Sequence, residues 1–272
     1  MEIKIKNYTK GHFKIHYQDG GEGTPVLLLH GYGEDGNIWK PVLEAFEGYR
    51  VIMPDFPGFG KSKVAADYTL PEMMEVFLEI LDEEGIDRFF VFGHSMGGYT
   101  ASEFVHAVPE RLLGVGMIHS HPFGDTQEIR ANRKKREEHI ASYGLEGFTR
   151  EFYPVLFGTG FAASHPEVVE EMRKTGASLD PQTFIAGMRA MRIRADRSAG
   201  FKNFPGPVLF LVGDGDRAVP ADLSMKQLSL PPVADVHILE GIGHTSMLEV
   251  PEVFIKHTKI FFSLARKLME VV

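Results

Sequence analysis

Short runs of consecutive apolar residues alternate with longer stretches of mixed polarity along most of the chain. Such runs are typical of strands buried on both faces, and the stretches between them have the length of helices. The pattern predicts an α/β fold with a mostly parallel central sheet and flanking helices. A hairpin whose strands alternate in polarity precedes this part. The hairpin covers 2–7 and 12–17, and the further strands cover 26–29, 51–53, 89–92, 113–118, 208–212 and 236–239.

The predicted helices differ in how clearly their spacing marks a buried face. The clearest lies near the C-terminus, where apolar residues recur at three- and four-residue steps from Val253 to Leu268. That spacing gives one apolar stripe, as in a helix packed on a sheet. Three other segments have helical length and mixed polarity, and they cover 70–84, 99–107 and 220–228.

Residues 121–200 interrupt the alternation of strands and helices. The segment has no strand-like run and consists of charged helical stretches separated by proline and glycine. We predict that it forms a helical cap, inserted into an α/β core made of 1–120 and 201–272. The basic run 130–136 is followed by Glu137 and Glu138, a mixture that is typical of a solvated helix face.

Composition excludes several functions for this chain of 272 residues. A net charge of −8 argues against a nucleic-acid partner, which favours clustered lysine and arginine. The absence of cysteine excludes disulfides, thiolate metal ligands and a cysteine nucleophile. No apolar run has the length of a membrane span, and residues 1–6 lack the apolar stretch of a signal peptide. We therefore predict a cytoplasmic protein with no membrane partner, with a processed precursor as the alternative.

The motif G-x-S-x-G occurs where the predicted strand 89–92 meets a helix-like stretch, at Gly93 to Gly97. In this context it is typical of a nucleophile elbow, a sharp turn that exposes a serine hydroxyl. The motif alone also fits an ordinary turn before a helix. Because a serine hydroxyl is a weak nucleophile, it needs a base and hydrogen-bond donors for the oxyanion. Ser95 is therefore the candidate nucleophile.

Candidates for the base and the acid follow the last two predicted strands. Asp214 and Asp216 come after 208–212, and His244 comes after 236–239 on a glycine-rich turn. The carboxyl ends of parallel strands meet at one edge of a sheet, where binding crevices form. We predict Asp216 as the acid that orients the base His244, and Asp214 as a residue that holds the loop. A helix-capping role for the aspartates is the alternative.

The glycine-rich turn His30-Gly31-Tyr32-Gly33 follows the first predicted sheet strand and is the candidate oxyanion turn. The backbone N–H groups of Tyr32 and Met96 are the predicted oxyanion donors. His94 is predicted to pack or hydrogen-bond beneath the elbow, since neighbouring side chains there diverge. The predicted substrate-binding residues are Gly31, His119, Ser120 and Phe123. His119 and His121 have a spacing that could suit a metal, but no third ligand is evident, and no metal site is predicted.

These motifs together resemble those of α/β-hydrolase fold proteins with a helical cap. The resemblance rests on the turn at 30–33, the D-x-P-G-x-G-x-S loop at 55–62, the elbow, and the residues Gly213 to Asp216 with His244. It extends from about residue 12 to the C-terminus and is weakest across the cap. It implies that Asp55 holds loops together. A serine at position 95 resembles the esterases of this superfamily, whereas its haloalkane dehalogenases and epoxide hydrolases have aspartate there.

The resemblance implies a serine hydrolase that cleaves carboxylic esters, lactones or thioesters of small, largely apolar molecules through an acyl-enzyme. No cofactor is expected, and the sequence does not distinguish a monomer from a homodimer. Three alternatives use the same residues: carbon–carbon bond hydrolysis of ring-cleavage products, perhydrolysis without a cofactor, and reception of a small ligand. Carbon–carbon hydrolases typically have G-N-S-M-G-G at the elbow, whereas His94 occurs here.

Overall fold

A computed structural model describes residues 1–63 and 67–271, with side chains described to residue 270. Within these residues eight strands form one sheet in the order β1-β2-β4-β3-β5-β6-β7-β8. The outer pairs β1–β2 and β2–β4 are antiparallel, and all other neighbours are parallel. The strands are β1 (Ile3–Lys10), β2 (Phe13–Gly20), β3 (Thr24–Leu29), β4 (Tyr49–Pro54), β5 (Phe89–His94), β6 (Leu112–Ile118), β7 (Val208–Gly213) and β8 (Ala234–Leu239).

The predicted α/β fold with a mostly parallel sheet is confirmed, and helices flank the sheet as expected. Two short 3₁₀ segments, Gly36–Phe46 and Pro109–Arg111, complete the described elements. The helices are α1 (Leu70–Glu83), α2 (Met96–Ala107), α3 (Gln127–Tyr143), α4 (Leu145–Val155), α5 (Thr159–Ser164), α6 (Pro166–Ala177), α7 (Pro181–Ile193), α8 (Ser198–Lys202), α9 (Ala221–Met225), α10 (Ser246–Glu249) and α11 (Pro251–Val271).

The central strand β5 shows why solid apolar runs become strands in this fold. Its side chains alternate between two cores: Phe89 and Val91 pack in one, and Phe90 and Phe92 pack in the other. All four are buried. Each such side chain contributes about 2 kcal/mol through loss of apolar surface to water. A sheet covered on both faces has only its edges and strand ends left for polar chemistry.

The parallel register brings the carboxyl ends of several strands to one edge of the sheet. Leu29 at the end of β3 pairs with Gly93 near the end of β5, and Gly213 of β7 pairs with Leu239 of β8. The loops that follow these strands carry the predicted polar residues. The fold therefore places the candidate nucleophile, acid and base within neighbouring loops.

Between β6 and β7 the chain forms the helices α3 to α8 and no strand, and all residues of this segment are described. Two tyrosines connect the segment to the core: the Tyr153 hydroxyl donates to the Gly33 carbonyl at 2.6 Å, and the Tyr32 hydroxyl donates to the Phe184 carbonyl at 2.7 Å. The helices thus lie over the turn at 30–33.

Two local predictions differ from the structure. The helix predicted over 220–228 is shorter, since α9 ends at Met225 and turns follow it. The 3₁₀ segment Gly36–Phe46 was not predicted; Pro41 within it lacks the N–H that a regular helix uses. None of the helices within 1–63 and 67–271 is both long enough and apolar enough to span a bilayer.

Candidate active site

Ser95 lies on a strained turn between β5 and α2. Its φ and ψ are +52° and −116°, in a region that residues with a side chain rarely adopt. Glycines make room for the turn: a Cβ at Gly97 would lie 2.2 Å from the Leu29 carbonyl oxygen, and a Cβ at Gly93 would lie 2.3 Å from the Gly97 carbonyl oxygen. The backbone of the Gly93–Gly97 motif therefore adopts the sharp strand-to-helix turn that the sequence predicted.

Asp216 and His244 are brought together by the loops after β7 and β8. His244 Nδ1 donates to Asp216 Oδ2 at 2.6 Å, and Oδ1 of Asp216 accepts from the N–H groups of Ala218 and Val219 at 2.8 and 2.9 Å. Burial alone would raise the pKa of Asp216, but the His244 imidazole and these donors hold that pKa below its usual value. The carboxylate is thus fixed in its ionised form beside His244.

Ser95 and His244 line the same cavity, which has a volume of about 320 Å³. The Ser95 hydroxyl makes no hydrogen bond to His244 or to any other described residue. Hydrogen bonds of this kind often shorten only when a substrate binds. The cavity lies between the carboxyl edge of the sheet and the helices α3, α4 and α7, so a substrate that enters it meets both residues.

The two predicted oxyanion donors lie at the start of α2 and in the turn after β3. Neither the Tyr32 N–H nor the Met96 N–H donates a hydrogen bond to another described residue. Met96 is the first residue of α2, where the helix dipole favours negative charge. Tyr32 also lines the cavity. Both N–H groups are therefore without an acceptor among the described residues, and their role as oxyanion donors stays a prediction.

A buried carboxylate, Glu34, connects three parts of the site and was not predicted. Its Oε2 accepts from the Gly31 N–H and from His94 Nδ1, each at 2.8 Å. His94 Nε2 donates to the His244 carbonyl at 2.7 Å. Because both ring nitrogens of His94 face acceptors, the imidazolium form with Glu34 ionised satisfies the geometry. Glu34 thus links the turn at 30–33, the elbow and the loop that carries His244.

The pKa values of this pair move in the directions that an ion pair requires. Burial alone would lower the pKa of His94, but the Glu34 carboxylate and the His244 carbonyl raise it. Burial alone would raise the pKa of Glu34, but His94 and the Gly31 N–H lower it. The hydrogen bonds of His94 to Glu34 and to the His244 carbonyl agree with the prediction that His94 packs or hydrogen-bonds beneath the elbow. Glu34 follows the glycine-rich turn directly, which is the sequence signal that could have found it.

The four predicted substrate-binding residues lie outside the lining of the cavity. The Gly31 N–H is used by Glu34, and the Ser120 hydroxyl donates to the Ser95 carbonyl at 2.7 Å, so both support the backbone of the site. His119 is buried beneath the site with Nε2 2.7 Å from the Ser246 hydroxyl. Phe123 stacks on His121. These four assignments stay predictions, and the structure shows that polar groups or rings of these residues are engaged within the protein.

His119 and His121 face different directions although they are two residues apart. His119 has a φ of +47°, which breaks the alternation of the strand, and its Nδ1 lies 3.7 Å from Asp216. His121 instead lines the cavity and packs on the ring of Tyr99. Burial lowers the pKa of each histidine to about 3, and for His121 the nearby Arg194 acts in the same direction. Both side chains are therefore neutral.

The two aspartates that were predicted to hold loops do so. Asp55 accepts from the N–H groups of Gly36 and Lys61, at 2.8 and 2.9 Å, and lies 3.0 Å from His16 Nδ1. Asp214 accepts from the Gly241 N–H at 2.6 Å. The carboxylate that contacts His244 Nδ1 is instead Asp216.

The α/β sheet, the elbow and the polar strand ends define an α/β hydrolase. The chain belongs to the alpha/beta hydrolase family, because residues 26–257 match the sequence profile of that family. This agrees with the resemblance drawn from the motifs.

Curated relatives and solved structures resemble the chain over nearly its whole length. It is 27% identical to the 2-hydroxy-6-oxo-6-phenylhexa-2,4-dienoate hydrolase of Burkholderia cepacia, with 96% of this chain and 95% of the relative covered. It is also 27% identical to a 2-hydroxy-6-oxononadienedioate/2-hydroxy-6-oxononatrienedioate hydrolase of Pseudomonas putida, with 89% and 88% covered.

Among solved structures, a thermophilic esterase from Thermogutta terrifontis, determined with malate bound, superposes with a TM-score of 0.87. It is 27% identical and covers 98% of this chain and 99% of its own. An enol-lactonase from Burkholderia xenovorans superposes equally well, at 0.87, but is 21% identical and shows the fold alone. The similar proteins therefore include more than one kind of hydrolase.

Proposed function

We propose that the protein is a serine hydrolase that cleaves carboxylic esters through an acyl-enzyme on Ser95. The observation that carries this proposal is the short Asp216–His244 contact, made beside a serine on a strained elbow within one cavity. An aspartate that fixes one nitrogen of a histidine leaves the other nitrogen available as a base. The thermophilic esterase that resembles the chain supports the same reaction class.

In the proposed mechanism His244 Nε2 takes the proton of the Ser95 hydroxyl as its oxygen attacks the ester carbonyl. The new C–O bond gives a tetrahedral oxyanion, which the N–H groups of Tyr32 and Met96 stabilise. A well-placed donor of this kind contributes about 3 kcal/mol. His244 then gives its proton to the leaving alcohol oxygen. Water attacks the acyl group by the same route and releases the carboxylic acid, and Asp216 stabilises the imidazolium in both steps.

Carbon–carbon bond hydrolysis is the second candidate, since two relatives that match most of the chain act on ring-cleavage products of the dienoate type. The same three residues serve that reaction. The elbow favours the ester reaction, because His94 occupies the place of the asparagine that is typical of carbon–carbon hydrolases, and it is engaged by Glu34.

Hydrolysis of p-nitrophenyl esters of graded acyl length tests the proposal. We expect Ser95→Ala to lower kcat/KM by at least about 10⁴-fold, because the nucleophile is lost. Ser263→Ala, an exposed serine on α11, is the matched control and should retain activity. A burst of p-nitrophenol equal to the enzyme concentration would reveal the acyl-enzyme.

Two results would contradict the ester proposal. One is turnover that persists in Ser95→Ala, and the other is a folded native protein that hydrolyses none of the esters. In the second case a 2-hydroxy-6-oxo-dienoate, followed by loss of its absorbance, distinguishes the carbon–carbon reaction from a protein without hydrolytic activity.

A further inference from the structure

The cavity above Ser95 is rich in guanidinium groups, although the chain as a whole is acidic with a net charge of −8. These groups come from α3, from the end of α7 and from the loop after β7. We call them the cavity arginines; they are Arg133, Arg136, Arg194 and Arg217. A concave site with charges of one sign focuses their field and attracts ligands of the opposite sign.

The carboxylates that line the cavity do not balance this charge. Glu34 is engaged by His94. Asp125 is shared by two cavity arginines, with its Oδ2 2.6 Å from Arg133 Nε and its Oδ1 2.6 Å from Arg194 Nη1. One negative charge therefore stands against two positive ones at this point, and the remaining two arginines add to the excess.

Arg136 and Arg217 form no ion pair with any residue in 1–63 or 67–271. Arg217 donates to the carbonyls of Pro154 and Phe157, which fixes its place at the rim but does not neutralise it. Arg136 is exposed at the other side of the cavity. Both guanidinium groups can thus contact an anion that enters from solvent.

One face of α3 lines the cavity. Ile129, Asn132, Arg133 and Arg136 all line it, and their spacing of three and four residues places them on the same side of the helix. Arg130 and Lys134 lie off this face and are exposed. The expectation that 130–136 is a solvated face thus holds for only part of the run. The lowered pKa of His121, caused by burial and then by Arg194 and Arg133, is consistent with a positive cavity.

We propose that the substrate is a carboxylate-bearing ester, whose carboxylate binds Arg136 and Arg133 while its ester carbonyl lies at Ser95. This deepens and rests on the proposed ester hydrolysis, and it replaces the largely apolar substrate that the sequence suggested. Arginine suits the task, because its planar fork can donate two hydrogen bonds to one carboxylate. Half-esters of dicarboxylic acids, and lactones that carry a carboxylate, have this chemistry.

A pair of substrates with acyl chains of equal length tests the charge directly: p-nitrophenyl hydrogen adipate and p-nitrophenyl hexanoate. The readout is the ratio of their kcat/KM values after subtraction of the spontaneous rate. We expect the native protein to favour the adipate ester by about tenfold or more, the scale of one hydrogen bond to a charged group. Added salt should reduce that ratio, since it screens an exposed guanidinium.

Arg136→Gln is the informative variant, because Arg136 is exposed and forms no ion pair within the described residues, so we expect the fold to be kept. We expect the adipate-to-hexanoate ratio to fall about tenfold in this variant. Arg130→Gln removes the same charge from the same helix outside the cavity, and its ratio should stay within about twofold of the native one. A native ratio near one, or equal ratios in Arg136→Gln and Arg130→Gln, would overturn the proposal.

Calorimetric binding of adipate separates this proposal from the proposed reaction. Adipate should bind native protein and Arg130→Gln, and it should bind Arg136→Gln about tenfold more weakly; its neutral diamide should not bind. If neither ester is hydrolysed but adipate binds in this pattern, the ester reaction is wrong and the anion site is supported. If adipate binds native and Arg136→Gln alike, or does not bind native protein, the anion site is wrong, whatever the ester result.

Discussion

The two sides of the cavity differ in how their charged groups are paired: the sheet side consists of the loops after the strands, and the cap side consists of the helices α3 to α8, which the sequence predicts to be a cap. On the sheet side, the buried carboxylates Asp216 and Glu34 each contact a histidine, His244 and His94 respectively, and Arg217 lies apart from them at the exposed rim. On the cap side, Arg136 forms no ion pair within the part of the chain that the structure describes, and two arginines share Asp125. A buried charge without a partner is costly, so pairs are expected where the protein is packed. Charges left unpaired beside solvent are available to a ligand.

This difference separates what the site does from what it acts on. The pairs on the sheet side fix the orientation of groups around Ser95 before any substrate arrives, and such pre-organisation lowers the barrier of the chemical step. The cap side contributes no group to that chemistry. In the proposal above, its arginines bind one part of a substrate whose other part lies at Ser95. Differences in such binding residues let one fold serve many substrates.

The largest expected effect comes from breaking the acid–base pair on the sheet side. Asp216→Asn should lower kcat by about 10³- to 10⁴-fold, because an amide neither stabilises the imidazolium nor fixes the tautomer of His244. Ester hydrolysis by the purified variant measures this loss. Asp214→Asn is the matched control two residues away, and it should retain nearly native kcat because Asp214 only holds the turn at Gly241. Comparable losses in both variants would contradict the role of Asp216.

Removal of the buried carboxylate Glu34 should have the next largest effect, and on stability. Glu34→Gln leaves His94 in a buried place without its counter-charge, and the free energy of unfolding should fall by about 3 kcal/mol. Urea denaturation near pH 6 measures the change. Glu44→Gln removes a carboxylate that, among residues 1–63 and 67–270, pairs with Lys259 alone and on the exposed surface, so its cost should stay within about 0.5 kcal/mol. Equal losses of unfolding free energy in the two variants would show that the buried pair stabilises the fold no more than the exposed pair does.

The contrast between the two sides also explains how much the sequence could predict. Ser95 and Asp216 follow strands whose solid apolar runs are visible in the sequence, and His244 follows the predicted last strand. A parallel sheet brings such strand ends to one edge. The alternation of β5 between two cores is likewise a local pattern. These predictions rest on short-range regularities, and the fold class and the contact between the acid and the base agree with them.

The arrangement of side chains on the cap side depends on contacts between segments that are far apart in the chain. Such contacts cannot be read from a single sequence. Arg133 and Arg194 are 61 positions apart and meet only because Asp125 lies between α3 and α7. Likewise, Glu34 and His94 are 60 positions apart. The sequence predicted a helix for this basic run, but which of its faces meets the cavity follows from packing. The direction of the His119 side chain has a local cause, since a positive φ is not visible in the residue type.

The smallest predicted effect tests whether the buried His119 on the sheet side stays neutral. Folding lowers the pKa of His119 from 6.5 to about 3, mainly through burial, so the folded protein binds fewer protons there than the unfolded chain. Its contribution to stability is therefore complete above pH 6.5 and is lost progressively as the pH falls toward 3. Between about pH 7.5 and about pH 5.5 the loss is about 1.4 kcal/mol for this residue.

His119→Asn should reduce the fall in unfolding free energy between these two pH values by about that amount, since asparagine does not titrate. Urea denaturation of native and variant protein at both pH values gives the difference. His12→Asn, an exposed histidine in the turn between β1 and β2, should leave the fall unchanged. A fall of the same size in His119→Asn and the native protein would mean that His119 takes up a proton in the folded state, beside Asp216.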